Sequence, residues 1–397
     1  MSQIIVTGMG VISTAGFTLD GFWDTLYQGR VTYNPMDFCE DSAQYRIKIG
    51  AKILSREWKD KLPNDFPEEF GKTAQYAAGA TLSALENAGF SEGMYDPARI
   101  AVVVGTTMGE ISSEEEITRL KYVGLPIPDV LYKQLPMFQI AKAVALAAGA
   151  QGYLYAVPAA CAAGNYAVAF GKKLLDWDKV DAVIAGGADV FSKVAFAGFQ
   201  RLLSLAPSLC QPFDKNRKGL VVGEGCGMII MERAGARPGQ KRYGSILGAG
   251  LASNAYHMTA PHKEGAGESQ AMLNAIKDAG LCSRDIDYIS AHGTGTKAND
   301  VIESQAIRNV FGSEPPPVSS IKSMLGHSMG AASMLELIAS FLMIKNQVIL
   351  PTINHATPDS YCNIDCVPNE PRAAKLRRIL SNSFAFGGQT SSILIGD

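Results

Sequence analysis

The sequence is poor in charged residues, and no block of basic side chains stands out. Charged residues make up 19% of the 397 residues, and 36 basic against 38 acidic residues leave a net charge of −2. Because nucleic-acid binding relies on clustered basic side chains, this composition argues against that class of function. The low charge, with 47% hydrophobic residues and 40 glycines, indicates a large core, many tight turns and a sizeable subunit interface.

The sequence also lacks the cysteine pattern of a disulfide scaffold or a structural zinc site. The number of cysteines is odd and no C-x-x-C pair occurs, which fits a reducing cytoplasm. The first residues contain no basic stretch, so we expect no signal peptide. A P-loop, a complete G-x-G-x-x-G fingerprint and an H-E-x-x-H zinc motif are all missing. The cysteines are Cys39, Cys161, Cys210, Cys226, Cys282, Cys362 and Cys366.

One uncharged stretch, between Lys142 and Lys172, is long enough to span a bilayer. Gly149, Pro158 and Gly164 interrupt it, and a continuous membrane helix would not be expected to contain so many breaks. We therefore predict a buried strand, a turn and a helix in this stretch, and no membrane insertion.

The chain contains two related halves, because short motifs recur in the same order. Residues 6–13 resemble 246–253, and each motif is interpreted as an apolar strand ending in a Gly-x-Gly turn. Residues 84–90 resemble 275–281, and each closes a helix with a glycine. The other pairs are the strands 100–104 and 286–290, the helix starts 161–164 and 327–330, and the glycine motifs 181–187 and 383–388.

Strands that alternate with helices predict mostly parallel sheets covered by helices. We place the boundary near residue 240, in an exposed turn, which gives domains over 1–240 and 241–397. Cys161 and His327 then occupy matching positions in the two halves. Such positions can face each other in a pseudo-two-fold structure, so the sequence predicts an active site at the junction.

Cys161 follows a strand-like stretch and precedes a helical pattern. A thiol at a helix N-terminus lies near the positive end of the macrodipole and near free N–H groups, which favour the thiolate. We therefore expect Cys161 to be a nucleophile with a lowered pKa. The alternative is a small buried cysteine among alanines.

Two histidines, His292 and His327, lie in glycine-rich loops. Catalytic groups are commonly mounted on loops that follow strands, and a histidine between glycines gains little from packing. We therefore interpret both as functional, and we assign no chemistry to His262 or His355. The segment that begins at Pro212 is interpreted as a structural turn in which the side chains of Asp214 and Arg217 pair.

Several motifs lie in an order that is typical of one enzyme family. They are Ala160-Cys161-Ala-Ala-Gly, Pro212-Phe-Asp with Arg217 and Gly223-Glu-Gly, Ala255-Tyr-His257-Met-Thr, His292-Gly-Thr-Gly-Thr with Asp300 and Glu303, Lys322-x-x-x-Gly-His327, and Asn382-Ser-Phe-Ala-Phe-Gly-Gly. This set resembles the β-ketoacyl–acyl carrier protein synthases, in their elongating Cys-His-His branch, and the likeness runs from Val6 to Ile395. It implies an α/β thiolase fold, in which duplicated βαβαβ halves form a five-layered αβαβα sandwich.

The resemblance also implies catalytic roles. Cys161 takes an acyl chain from the phosphopantetheine arm of an acyl carrier protein. His292 and His327 promote decarboxylation of malonyl-carrier protein and stabilise the enolate. Lys322, with Glu303 nearby, orders this pair of histidines.

The same resemblance implies the surrounding site. The backbone N–H groups of Cys161 and Phe386 form the oxyanion hole, and Phe386 is the gate residue. Thr294 and Thr296 hydrogen-bond the pantetheine arm. The remaining implied residues are Asp300 as a supporting group, and Met108, Phe199 and Met329 in the acyl pocket. The resemblance implies no metal, no permanently bound cofactor, and a cytoplasmic dimer that is either a homodimer or a heterodimer with a chain-length-factor-like subunit.

The sequence departs from the family pattern at several positions. The family usually has Thr where this chain has Ala159, and Lys297-Ala-Asn precedes Asp300 where Pro-x-Gly is usual. The departures at the C-terminal motif are Ala385, Gln389 and Thr390. They favour a specialised type II polyketide or polyene pathway over housekeeping fatty acid synthesis.

Three alternatives compete with a decarboxylating condensing enzyme. A catalytically silent chain-length partner typically lacks the nucleophile, so Cys161 argues against it. A Cys-His hydrolase has no need of a second loop histidine with Lys322 five residues before it. A non-decarboxylating thiolase generally carries a second active cysteine where this chain has Phe386-Gly-Gly.

Overall fold

The computed structural model describes residues 3–39, 45–91 and 93–397, and the side chain of Cys39 lies outside that description, as do Met1 and Ser2. Its strands are β1 (Ile4–Ser13), β2 (Asn34–Pro35), β3 (Ile49–Gly50), β4 (Ile100–Thr106), β5 (Leu154–Pro158), β6 (Ala182–Asp189), β7 (Gly225–Arg233), β8 (Gly244–Ser253), β9 (Tyr288–Ser290), β10 (Val318–Ser319), β11 (Val348–Ile349), β12 (Arg372–Ala373), β13 (Arg378–Phe384) and β14 (Gln389–Gly396). Its α-helices are α1 (Leu19–Tyr27), α2 (Lys72–Ala88), α3 (Ile111–Tyr122), α4 (Asp129–Gln134), α5 (Phe138–Ala148), α6 (Ala163–Asp176), α7 (Lys193–Arg201), α8 (Ala266–Asp278), α9 (Lys297–Phe311), α10 (Lys322–Leu325) and α11 (Ala332–Asn346).

The main sheet has the strand order β10-β9-β13-β14-β8-β1-β7-β6-β4-β5, which divides into two halves of one design. In chain order, the first half contributes β1, β4, β5, β6 and β7 to this sheet, and the second half contributes β8, β9, β10, β13 and β14. In each half the third of these five strands lies at the edge of the sheet, and the second, fourth, fifth and first follow it in that order. The fifth strand is antiparallel to its neighbours in both halves, and the second, third and fourth are parallel. The halves touch through a short ladder between β1 and β8. The duplicated topology confirms the predicted fold.

Helices cover both faces of this arrangement. The outer helices α2 and α5 pack on the first half, and α8 and α9 pack on the second. Between the halves lie α6 and α11, which contact each other and strands of both halves. Every residue of α11 from Ala332 to Ile344 is buried, as expected for a helix with no solvent face. The result is the five-layered αβαβα sandwich.

The repeated glycines of the two halves lie inside strands, so the predicted Gly-x-Gly turns are wrong. Gly10 is within β1 and Gly250 within β8. A Cβ atom at Gly10 would lie 2.0 Å from the carbonyl oxygen of Ala80, and one at Gly250 would lie 2.0 Å from that of Ala271. The glycines are therefore needed because α2 and α8 press their backbones directly onto the first strand of each half.

The predicted pairing of Cys161 with His327 is also wrong in register. Helices α6 and α11 each begin from a 3₁₀ turn, Ala160–Ala162 and Met329–Ala331, whose first residue has a positive φ of 46° and 55°, respectively. On this alignment Cys161 matches Gly330, and His327 lies just before the matching turn. The glycine motifs also fail to match, since Gly187 lies within β6 whereas Gly388 follows β13. The two helix starts nevertheless meet at the junction.

The long uncharged stretch forms the end of α5, then β5 and the start of α6, so the predicted strand, turn and helix are present but the strand is not buried. Within the described ranges, no helix is both long and apolar enough to cross a bilayer. Strand β5 is the outer edge of the first half, and most of its residues are only partly buried.

Candidate active site

Cys161, His292 and His327 come together at the junction of the two halves. The Cys161 sulfur and one ring nitrogen of each histidine all lie within 4.8 Å of one another, and the histidine ring centroids are 5.4 Å apart. Cys161 lies in the turn that leads into α6, His292 follows β9, and His327 precedes the turn that leads into α11. All three side chains are buried. The structure thus assembles the predicted nucleophile and the two predicted histidines in one cluster.

Burial raises the pKa of the Cys161 thiol to about 12, and the positive charge of Lys322 acts in the opposite direction. The expectation of a lowered pKa is therefore wrong for the resting site, because removal of the thiolate from water outweighs the nearby positive charge. The Cys161 carbonyl accepts a hydrogen bond from the Ser383 hydroxyl at 2.9 Å, which fixes the turn to the second half. The resting nucleophile is a thiol held in place.

Both histidines are neutral and present the same nitrogen to the cavity. Burial, and then the charge of Lys322, lowers the pKa of His292 and His327 well below the ordinary value. The Nδ1 atom of His327 accepts from the Met329 N–H at 3.1 Å, and that of His292 lies 3.4 Å from the Lys322 ammonium, which can only donate. Each neutral ring therefore carries its proton on Nε2.

This arrangement is unsuited to a metal ion, although the three side chains are common zinc ligands. A metal-binding histidine coordinates through one nitrogen and donates its other N–H to an acceptor. Here the groups behind both rings are donors, Met329 N–H and the Lys322 ammonium. The Nε2 protons are instead available to an oxyanion.

Lys322 and Glu303 fix the loop that carries His292, but in a different way from the predicted one. The Lys322 ammonium donates to the His292 carbonyl at 2.7 Å and forms a buried ion pair with Glu336. Glu303 instead accepts from the backbone N–H of His292 at 2.7 Å and of Gly293 at 2.8 Å. Burial raises the pKa of Glu303 to about 8 and that of Glu336 to about 7.

Sequence reasoning missed Glu336. The available signal was a single acidic residue within the otherwise uncharged run 332–344 of α11. A buried carboxylate in such a run requires a charged or hydrogen-bonding partner. The structure shows that this partner is Lys322, which lies 14 residues earlier in the chain.

Asp300 supports the loop that follows His292. Its carboxylate accepts from the backbone N–H of Phe213 at 2.9 Å and of Gly295 at 3.3 Å, and lies 3.5 Å from the Arg217 guanidinium. Arg217 donates to the carbonyl of Asp214 and forms its ion pairs elsewhere, with Asp300 and Asp359. The predicted turn is therefore present, but its side-chain pair is wrong.

A cavity opens above the three catalytic side chains. The hydroxyl oxygens of Thr294 and Thr296 line it, 2.9 Å apart, as the predicted pantetheine contacts would. Phe199 also lines it and contacts Phe386 in a tilted arrangement, with a centroid distance of 5.8 Å and an interplanar angle of 35°. Within the described chain, neither Met108 nor Met329 belongs to this lining. They pack in two separate apolar clusters outside this lining, and their place in the acyl pocket stays a prediction.

Phe386 lies on a loop that closes one side of the cavity and is 40% exposed. Gly387 and Gly388, with φ of 88° and 84°, turn the chain sharply after it. The Gly387 N–H donates to the Met258 carbonyl, and the Gly388 carbonyl accepts from the Asn254 N–H, both at 2.8 Å. The loop is thus attached to a neighbouring loop through two hydrogen bonds, while its aromatic ring stays accessible.

Asp189 is a second residue that sequence reasoning missed. Its fully buried carboxylate accepts from Thr106 Oγ1 and from the backbone N–H groups of Thr107, Met108 and Gly330, at 2.7 to 2.9 Å. It therefore ties a loop of the first half to the turn beside His327. The signal in the sequence was a carboxylate at the end of the apolar strand β6.

The comparisons with known proteins agree with this geometry. The family model "Beta-ketoacyl synthase, N-terminal domain" matches residues 1–236, and "Beta-ketoacyl synthase, C-terminal domain" matches residues 243–356. The chain belongs to the β-ketoacyl synthase family. Among its relatives is 3-oxoacyl-[acyl-carrier-protein] synthase 2 of Staphylococcus aureus (strain COL), which is 32% identical over 99% of this chain and 97% of its own.

Two solved structures are also similar to this β-ketoacyl synthase. The ishigamide ketosynthase/chain length factor is 35% identical, with a TM-score of 0.95 over 100% of this chain and 99% of that one. A chain in the structure of a type II PKS acyl-carrier protein in complex with its ketosynthase is 28% identical, with a TM-score of 0.91 over 100% of this chain and 99% of that one. The predicted family, fold and reaction class, a condensing acyltransferase, are confirmed.

Proposed function

We propose that this β-ketoacyl synthase takes an acyl chain from acyl-carrier protein onto Cys161 and condenses it with malonyl-carrier protein in a decarboxylative Claisen reaction. The observation that carries the proposal is the cluster of one thiol and two neutral imidazoles, with both Nε2–H groups directed at one cavity. A hydrolase needs a single base beside its thiol. Two neutral donors and a buried lysine instead suit an enolate intermediate.

In the first step the Cys161 sulfur attacks the thioester carbonyl of the acyl-carrier protein. The backbone N–H groups of Cys161 and Phe386 stabilise the tetrahedral oxyanion. The carbon–sulfur bond to the pantetheine arm breaks, and the proton of the Cys161 thiol ends on the departing pantetheine sulfur. The charge of Lys322 and the start of α6 stabilise the transient thiolate.

In the second step the carboxylate of malonyl-carrier protein leaves as CO₂, and its electron pair forms the enolate of the thioester. The Nε2–H groups of His292 and His327 donate to the enolate oxygen. The enolate carbon attacks the acyl thioester on Cys161, and the bond to sulfur breaks. The sulfur takes up one proton from solvent, which restores the thiol.

The carrier protein presents both substrates on its phosphopantetheine arm, which Thr294 and Thr296 hydrogen-bond. No permanently bound cofactor takes part in these steps. We place the enzyme in the cytoplasm, where a reduced Cys161 is maintained. The departures at Ala385, Gln389 and Thr390 support a type II polyketide or polyene pathway.

A second candidate is that the chain is the ketosynthase subunit of a heterodimer. The similarity to the ishigamide ketosynthase/chain length factor, over the full length of both chains, favours it. The free edge of β5 offers a strand that a second subunit can extend. The chemistry proposed for Cys161 and the two histidines is the same in either dimer.

The first step is tested without malonyl substrate. After incubation with acyl-carrier protein, intact mass and peptide mapping should show one acyl group, on Cys161, and none in Cys161→Ala. Cys282→Ala is the matched control, because that thiol lies away from the site and should leave acylation unchanged. Release of free acid without a stable acyl-enzyme would favour a hydrolase and contradict the proposal.

A further inference from the structure

His327 receives the hydrogen bond that fixes its tautomer from a strained turn. The donor is the N–H of Met329, at 3.1 Å from Nδ1. Met329 has a φ of 55°, in the left-handed region that a non-glycine residue avoids. Such a conformation persists only where the surroundings enforce it. Something must therefore hold the turn in the orientation that presents this N–H to the imidazole.

Asp189 is placed to hold that turn. Its Oδ2 accepts from the N–H of Gly330, the next residue, at 2.7 Å, and from that of Thr107 at 2.8 Å. Its Oδ1 is anchored by Thr106 Oγ1 and the Met108 N–H. The carboxylate is fully buried and has no freedom to release the turn.

The turn before α6 in the first half is the equivalent of the Met329–Gly330 turn before α11, so the two can be compared. Gly330 matches Cys161 in the two equivalent helix starts, and Ala160, before Cys161, has a φ of 46°. The N–H of Gly330 is occupied by Asp189. Among the described residues no carboxylate accepts from the N–H of Cys161, which leaves that group to the substrate oxyanion. One half uses its turn to bind substrate, and the other uses it to orient a histidine.

We propose that Asp189 is a positioning residue for decarboxylation: it holds the Met329–Gly330 turn and thereby keeps the proton of His327 on Nε2, facing the enolate. Without the carboxylate the turn relaxes, Met329 N–H leaves Nδ1, and the proton distributes between both nitrogens. The kinetic consequence rests on the proposed function, whereas the tautomer does not.

The test uses Asp189→Asn, which keeps the shape but places an amide NH₂ among backbone N–H donors. With ¹⁵N-labelled histidine, NMR of the wild type should show His327 with Nε2 protonated, and the variant should show a mixture. Decarboxylation of malonyl-carrier protein should fall by up to roughly 10²-fold, the usual effect of losing one oxyanion donor. Acyl transfer to Cys161 should change much less.

Two further variants separate an effect on the orientation of His327 from a general loss of structural stability. Glu110→Gln is the matched control, because Glu110 is also buried and also accepts backbone N–H groups, from Thr73 and Ala74, without touching the His327 turn. It should leave the tautomer unchanged. Asp189→Asn/Met329→Gly should recover the tautomer and the decarboxylation rate, since glycine adopts a positive φ without strain.

An unchanged His327 tautomer in folded Asp189→Asn would overturn the proposal, as would a failure of Met329→Gly to restore it. If Asp189→Asn does not fold, Asp189→Ser gives the same two readings, because its short hydroxyl cannot span both loops. Inactivity of the wild type in condensation, with the tautomer shift intact, would contradict the proposed function and leave the role of Asp189 standing.

Discussion

The two catalytic histidines titrate below the range of ordinary imidazoles, and this has a measurable consequence. Because burial and Lys322 lower both pKa values, neither ring gains a proton as the pH falls from 7 to 6. Cys161→Ala cannot form the acyl-enzyme but retains both donors. We therefore expect it to release CO₂ from malonyl-carrier protein at a nearly constant rate over this range.

For a histidine with a pKa of about 6.5, the neutral fraction would fall about threefold between pH 7 and pH 6. A fall of that size for each ring would show that the imidazoles are not shielded from protonation. Cys161→Ala/His327→Ala serves as the control, and it should release little CO₂ at any pH.

Glu336 illustrates the cost of leaving a buried charge unpaired. Glu336→Gln removes the partner of Lys322 while the ammonium stays buried, so we expect a loss of about 3–5 kcal/mol in the free energy of unfolding. Urea denaturation followed by circular dichroism measures it. Glu116→Gln, which breaks the exposed pair with Arg119, should change the free energy by less than about 1 kcal/mol. Equal effects would mean that the Lys322–Glu336 pair is solvated.

At the scale of elements, the close contact between α2 and β1 is the feature most sensitive to added volume. Gly10→Ala places a methyl group 2.0 Å from the carbonyl oxygen of Ala80, so the helix must shift, at a cost of about 1–3 kcal/mol or more. Gly198→Ala is the matched control, because its Cβ meets nothing within 4 Å and it lies inside α7. That change should stabilise the protein by about 0.5–1 kcal/mol. A loss of stability in Gly198→Ala, or none in Gly10→Ala, would contradict the packing.

These glycines also show how far the sequence predicted the elements. The repeat of residues 6–13 and 246–253 corresponds to the equivalent strands β1 and β8, but the turn that its glycine pair predicts is absent there. Local propensity cannot distinguish a glycine that bends the chain from one that admits a helix backbone, because the second depends on a distant element. The register of Cys161 against His327 failed for a similar reason, since only the positive φ of Ala160 and Met329 defines the matching turns.

The catalytic side chains were more predictable than their supports. Cys161, His292, His327 and Lys322 lie in local motifs that short sequence windows contain. Asp189 and Glu336 lie outside these motifs and act through contacts with residues 141 and 14 positions away, so their roles could not be predicted from the motifs alone. Only the resemblance places Met108 and Met329 in the acyl pocket; in the structure they pack in apolar clusters outside the lining of the catalytic cavity, so this placement stays a prediction.

For the whole molecule, the free edge of β5 predicts association with a second subunit. Tyr153, which is 45% exposed, stacks near Tyr155 beside this edge. Tyr153→Asp adds a charge there and should shift the protein toward monomer in sedimentation velocity at micromolar concentration. Leu54→Asp, at a residue 69% exposed elsewhere, should leave the sedimentation coefficient unchanged. A dimer that tolerates Tyr153→Asp and dissociates with Leu54→Asp would place the interface on another face.

In the proposed reaction, acyl transfer to Cys161 and decarboxylation at the histidine pair occur in one cavity and produce one carbon–carbon bond. The most direct measurement combines acyl-carrier protein with malonyl-carrier protein labelled with ¹³C at its free carboxyl group. We expect ¹³CO₂ and a carrier-bound β-ketoacyl product in equal amounts. The product should lack the label, and formation of both should depend on Cys161 and His327. Retention of the label in the product, or free acid formed without CO₂, would contradict the proposed reaction.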